Sequence, residues 1–188
     1  MQTFISLLQK MIIAAVRNER DMEKALQSGV ESIFYLSPNI LTLDETVRGA
    51  HEVDKKIFLH MDLAEGIGKD KAGIEYVKQK GVDGVISTRV NIIKAAREAG
   101  LFTVQRFFIV DSQSVNTTLE GIKASKPDMI EIMPGIATKV IADLKAKLNS
   151  PIIAGGMIES RLEVRDALQS GATAVSTSKR ELWGKVKA

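Results

Sequence analysis

Two short stretches near the end of the chain carry residue types able to hold a small anion. Gly155-Gly156 follows the apolar run Pro151-Ile152-Ile153-Ala154, and Ser176-Thr177-Ser178 follows Thr173-Ala174-Val175. Paired glycines let a backbone approach a ligand closely, and three adjacent hydroxyls supply small donors. Together they have the composition of a phosphate cradle. The same residues would also serve as a tight strand exit and a helix cap, so the chemistry depends on the elements that position them.

Those elements follow one grammar from end to end. Apolar runs at Met11–Val16, Ile33–Leu36, Ile57–Met61, Val82–Ile86, Leu101–Val110, Met129–Ile132, Pro151–Ala154 and Thr173–Val175 predict eight strands. Helix-like stretches lie between them, among them Asp21–Ser28, a segment from a Thr42/Glu45 capping box through Glu52, Ala72–Gln79, Asn91–Ala99, Ser112–Ala124 and Glu159–Gln169. A final helix is expected over Lys179–Lys187, with Trp183 in it. Strands that alternate with helices are parallel, and the turn after each strand faces the same end of the sheet. At about 23 residues per unit, eight units make a compact (β/α)8 TIM-type barrel with short loops, spanning 1–188 as one domain. The rival is an open doubly wound sheet with fewer strands. The pentapeptide Ala-Leu-Gln-Ser-Gly closes a helix at Ala25–Gly29 and again at Ala167–Gly171, as a repeated unit would.

A barrel gathers its strand exits at one mouth, after strands 7 and 8 often as a phosphate site. The exits here carry Arg17, Ser37, Asp62, Ser87 with Thr88 and Arg89, Arg106, Glu131, Gly155-Gly156 and Ser176 with Thr177. His60 and Asp62, two apart, are expected on one face of a strand, and Glu131, alternating with Ile130 and Ile132, in the lumen. Such charges are costly to bury unpaired. They form either a salt-bridged plug or a polar pocket for a small phosphorylated polyol, with the carboxylates taking hydroxyls and the arginines balancing charge. Asp62 and Glu131 also suit an acid/base pair for a sugar-phosphate isomerase or lyase. The loop Ala64–Lys71, with Gly66 and Gly68, is the expected element to order over a bound ester.

Composition excludes other classes. The 188 residues contain no Cys, which removes disulfides and thiolate metal sites. Lys plus Arg (26) against Asp plus Glu (23) leaves a net charge of +3, too small to mark a nucleic-acid protein by itself. The only histidines, His51 and His60, lack zinc spacing, and no metal site is expected. No Lys is evident at a strand exit for Schiff-base chemistry. No apolar stretch approaches the roughly 20 residues of a membrane span, and no signal peptide is evident, so a soluble protein is expected.

Taken in order, Ala15-Val16-Arg17-Asn18, His60-Met61-Asp62-Leu63 with Gly66-Ile67, Gly84-Val85-Ile86-Ser87-Thr88-Arg89, Gln105-Arg106-Phe107, Pro127–Glu131 with Pro134-Gly135, Pro151–Gly156, and Val175–Ser178 with Leu182-Trp183 resemble the glycerol-3-phosphate-responsive antiterminator family. The resemblance runs from near Met11 to Trp183. It implies a cytoplasmic regulator that, with glycerol 3-phosphate as effector and no cofactor, binds leader mRNA of glycerol-utilisation operons and prevents premature termination, without catalysing a reaction. A phosphate-binding module without RNA activity is the third reading.

No arginine-rich arm marks an RNA face. Candidate cations are Lys69, Lys71, Lys123, Lys126, Lys139, Lys145, Lys147, Lys179, Arg180, Lys185 and Lys187. A homo-oligomer is plausible, with Trp183 and Phe4 either exposed apolar anchors or core side chains.

Overall fold

A computed structural model describes residues 11–184. Eight parallel strands close on themselves in the order β1 to β8: β1 Met11–Val16, β2 Ser32–Tyr35, β3 Lys56–His60, β4 Gly84–Ser87, β5 Phe102–Phe108, β6 Met129–Met133, β7 Ile152–Gly155 and β8 Ala174–Thr177. Seven helices join them: α1 Glu19–Gln27, α2 Leu43–Glu52, α3 Lys71–Gln79, α4 Val90–Glu98, α5 Ser112–Ser125, α6 Thr138–Lys147 and α7 Arg161–Gln169. The closed barrel is the expected fold, and the open sheet is set aside by the β1–β8 pairing, in which Ile12 stands opposite Val175 and Ala14 opposite Thr177.

The strands read as almost unbroken apolar runs because both faces are covered. Alternate residues feed two cores. Ile12, Ala14 and Val16 of β1 pack outward against the helices, whereas Ile13 and Ala15 join Phe34, Phe58, Ile86, Phe102, Val104, Met129 and Ile153 in the lumen. Phe34, Phe58 and Phe102 form an edge-to-face row, with ring centroids 5.6 and 5.9 Å apart. This apolar floor closes the lower lumen. The next inward position on β3, β5, β6 and β8 is polar: His60, Arg106, Glu131 and Ser176, all buried.

Several helices start where side-chain oxygens accept from backbone amides of the first turn. Asn18 takes the amide of Asp21, Asp70 that of Gly73, and Asp111/Ser114 and Ser160/Glu163 form reciprocal capping boxes. The expected Thr42/Glu45 box does not form. Thr42 is helical in backbone (φ −110°, ψ −2°) rather than extended and its side chain makes no cap bond, and its amide, which Glu45 would have to take, already bonds the Asn39 carbonyl in a preceding turn. The expected last helix is also corrected: among the described residues the chain after β8 makes only a 3₁₀ turn, Arg180–Leu182, and Lys185 and Lys187 lie outside the described residues. Trp183 is 1% exposed and donates from Nε1 to the Thr177 carbonyl at 2.8 Å, so it is a core side chain rather than an exposed anchor. Phe4 lies outside the described residues.

Candidate functional site

The upper lumen is organised by one buried carboxylate. Arg106 and Glu131 are register partners on β5 and β6, and Arg106 Nε donates to Glu131 Oε2 at 2.6 Å. The other oxygen, Oε1, accepts from Ser176 Oγ at 2.5 Å. Glu131 is fully buried in the lumen, as its alternation with isoleucines predicts. Gly155 leaves it room: a Cβ there would sit 2.7 Å from Ser176 Oγ and 2.8 Å from Glu131 Cδ. Gly155 thus clears space for these side chains.

Above this network lies a cavity of about 90 Å³ between the exits of β7 and β8, lined by Arg17, Arg106, Glu131, Gly156, Ser176, Thr177 and Ser178 among others. The two exits are tied to each other. Thr177 Oγ1 donates to the Ile158 carbonyl at 2.7 Å and accepts from the Lys179 amide at 3.1 Å. Gly156 (φ +75°) and Met157 (φ +60°) are both left-handed, which curls the β7 loop over the cavity that both residues line. Three cations meet two carboxylates here. Glu131 is held by Arg106, and Glu159 by Lys179 Nζ at 3.2 Å, whereas Arg17 is exposed and makes no ion pair among the described residues. The surplus positive charge faces the glycine and hydroxyl exits.

Lys179, expected in a final helix as a candidate RNA-facing cation, and Glu159, expected in the helix up to Gln169, are not among the residues expected at the mouth. The structure puts both on exit loops. Lys179 is therefore a lysine at a strand exit, contrary to expectation, although it stands at the rim and is ion-paired.

The other predicted mouth residues form a second, adjoining cluster that does not line the cavity. Asp62 lies past the end of β3, in the 3₁₀ turn Met61–Leu63, rather than on one strand face with His60. Its oxygens accept from Ser87 Oγ (2.6 Å), the Thr88 amide (2.7 Å) and Thr88 Oγ1 (2.8 Å), and Arg89 Nε stands 3.8 Å away. Burial raises the Asp62 pKa, but the bonds from Ser87 and Thr88 outweigh it and hold the carboxyl below its usual value. Ser87, fully buried, also accepts from the Arg89 amide at 3.0 Å. These residues fasten the β3 exit to the β4 exit.

His60 joins the two clusters. Arg106 Nη1 is 3.4 Å from His60 Nε2; a guanidinium only donates, so Nε2 accepts and the proton sits on Nδ1. Burial first, and then the Arg106 charge, push the His60 pKa down to about 4 against the pull of Asp62 and Glu131. The ring is neutral at ordinary pH, and its Nδ1 is buried without a hydrogen-bond partner among the described residues. No group of three or more His, Asp or Glu side chains among the described residues is placed to hold a metal ion.

The model of one protein family, described as "Glycerol-3-phosphate responsive antiterminator", matches residues 12–183. The chain belongs to that family. Among solved structures, the glycerol uptake operon antiterminator regulatory protein of Listeria monocytogenes str. 4b F2365 superposes with a TM-score of 0.88 at 37% identity, covering 92% of this chain and 94% of the other. A glycerol uptake operon antiterminator-related protein of Thermotoga maritima MSB8 gives 0.82 at 31% identity, with 92% and 97% covered. The curated relative "Uncharacterized protein YgcP" of Escherichia coli (strain K12) is 36% identical over 178 residues, 94% of this chain and 93% of that protein. The antiterminator family is a regulatory one.

For an antiterminator-family chain the placement of basic residues matters, and several candidates are already engaged. Lys71 pairs with Glu98 at 3.0 Å, Lys179 with Glu159, and Arg180 Nε with Asp21 at 2.6 Å, and Lys69 Nζ bonds the Ala64 carbonyl. Lys123, Lys126, Lys139, Lys145 and Lys147 remain exposed on α5, the turn that ends it, and α6. The Ala64–Lys71 loop is not poised as a cover. Its Glu65 amide bonds Pro38, its Glu65 carbonyl receives Ile40, and Ile67 is buried, so the loop is pinned to the β2 exit and lines no part of the cavity. Among the described residues no helix is long and apolar enough to cross a membrane.

Proposed function

We propose that this chain binds glycerol 3-phosphate, or a closely related small phosphorylated polyol, at the barrel mouth. In that state it binds the leader mRNA of glycerol-utilisation operons and prevents premature termination, in the cytoplasm and without a cofactor. The observation that carries the reading is the charge arrangement between the last two strand exits. Both carboxylates that face the cavity are neutralised by a cation, and Arg17 is left over in a lining that also contains Gly156 and Ser178. An anion placed there meets one uncommitted guanidinium and the Ser178 hydroxyl, since those of Ser176 and Thr177 already donate to Glu131 and to the Ile158 carbonyl. The family's named response to glycerol 3-phosphate supports the choice of ester.

An isomerase or lyase reading is less well supported. A general base needs a free lone pair directed at substrate. Both oxygens of Glu131 and both of Asp62 accept hydrogen bonds from neighbouring protein groups, and Asp62 does not line the cavity. Regulation requires the effector to favour one of two states by differential affinity. A gel-shift titration of the leader RNA from the same genome, with and without glycerol 3-phosphate, tests the reading. Effector-dependent retardation is the expected result; equal binding with and without effector, or no binding, would overturn it. Any homo-oligomer would use surface other than Trp183.

A further inference from the structure

Arg106 lines two separate hollows. One is the effector cavity; the other is an open groove of about 420 Å³ on the far side, between the tip of β5 and the first turns of α5. β5 is seven residues long, against four for β4 and five for β6, and its last residue carries an exposed aromatic ring: Phe108 is 56% exposed. The ring lines the groove together with the half-buried Phe107. The walls are supplied by Thr88, Asp111, Gln113 and Thr117. The Gln113 amide is exposed and makes no side-chain hydrogen bond among the described residues, so it has both a donor and an acceptor to offer. Asp111 is held charged by its bonds from Ser114, and a carboxylate at this end disfavours a bare phosphate.

A ligand for this groove must therefore be flat, uncharged at its inner end, and edged with donors and acceptors. We propose that the groove beside Phe108 takes an unpaired base of single-stranded RNA, stacked on the Phe108 ring and read along its edge by Gln113 and Asp111. Proteins that recognise single strands use this combination of an aromatic platform and amide or carboxylate edges. The nucleotide's own phosphate then points away from Asp111, toward the side where Arg89, one residue beyond Thr88, is exposed. The inference rests on the leader-RNA reading above and adds the place of contact.

The position of Arg106 gives the coupling. An anion in the cavity draws on a guanidinium that also forms part of the groove, so occupancy of one hollow changes the other. By linkage, RNA then tightens effector binding by the same factor that effector tightens RNA binding.

The test uses the full chain, the leader transcript and saturating glycerol 3-phosphate, with RNA affinity read by fluorescence anisotropy. Phe108→Ala is expected to weaken RNA binding about 5- to 150-fold, the range for loss of one stacked base. Phe108→Trp is expected to retain it. Because Phe108 does not line the cavity, the affinity of either variant for glycerol 3-phosphate without RNA should match that of the unmodified chain. If the unmodified chain binds the transcript and Phe108→Ala binds equally well, the inference fails and the leader-RNA reading stands. If the unmodified chain binds no RNA in either state, both fail. Loss of self-association in Phe108→Ala, seen by sedimentation with RNA binding unchanged, would assign the groove to a second copy of the chain and overturn the proposal.

Discussion

Arg106 Nε and Glu131 Oε2 stand 2.6 Å apart between adjacent strands, both side chains almost wholly buried. A buried ion pair of this kind contributes little net stability, but removing one partner strands a charge in the core at a cost of about 3–5 kcal/mol. Glu131→Ala should lower the unfolding free energy by about that amount in urea titrations. Arg106→Met combined with Glu131→Met should recover most of the loss, because no uncompensated charge remains. A single substitution without effect would show that the pair is solvated.

Glu159 competes with any anion for Lys179. The pair is half-exposed at the rim, where such contacts are worth about 0.2–1 kcal/mol. Glu159→Gln should tighten glycerol 3-phosphate about two- to five-fold in a calorimetric titration, and Lys179→Ala should weaken it. Both effects should shrink as salt is raised.

The two cradle glycines should respond differently to alanine. Gly156→Ala places a side chain at φ +75°, at a cost of about 1–2 kcal/mol, and its Cβ would meet only the flexible end of Met133. Gly155→Ala drives a methyl into Ser176 and Glu131, so it should disturb the whole lumen network. Thermal melts together with effector titration should show the larger loss of both stability and affinity at Gly155.

Much of this was legible in the chain. Parallel strands buried on both faces write themselves as apolar runs, and Glu131 betrays its inward direction by standing between two isoleucines. The repeated Ala-Leu-Gln-Ser-Gly also has a local meaning, since Ser28 and Ser170 donate to Ala25 and Ala167 at 2.8 and 2.7 Å. What stayed hidden was long-range: nothing near Asp62 announces that Ser87 and Thr88, about 25 residues on, will take its oxygens. Whether Trp183 is an anchor or core is not legible in the sequence, because its partner, the Thr177 carbonyl, is a backbone group without a sequence signature. The rim positions of Lys179 and Glu159 have no sequence signal, because the helical segments after their exits begin at Arg180 and Arg161, a residue or two later than periodicity suggests.

The neutral state of His60 makes stability depend on pH. Its folded pKa, about 4, lies below the ordinary 6.5, so the unfolded chain binds the extra proton between these values. Stability should therefore be complete above about pH 6.5 and fall as pH drops toward 4, by up to about 1.4 kcal/mol per pH unit. His60→Gln should flatten that slope in urea titrations from pH 7 to 4.5; an unchanged slope would place the acid sensitivity elsewhere.

The most direct test is a calorimetric titration of glycerol 3-phosphate into the full chain, run beside glycerol and beside Arg17→Ala. Saturable binding of one glycerol 3-phosphate per chain, no heat with glycerol, and a marked loss of affinity in Arg17→Ala are the predicted results. Absence of heat with glycerol 3-phosphate, or equal binding by Arg17→Ala, would contradict the placement of the anion at the exits of β7 and β8.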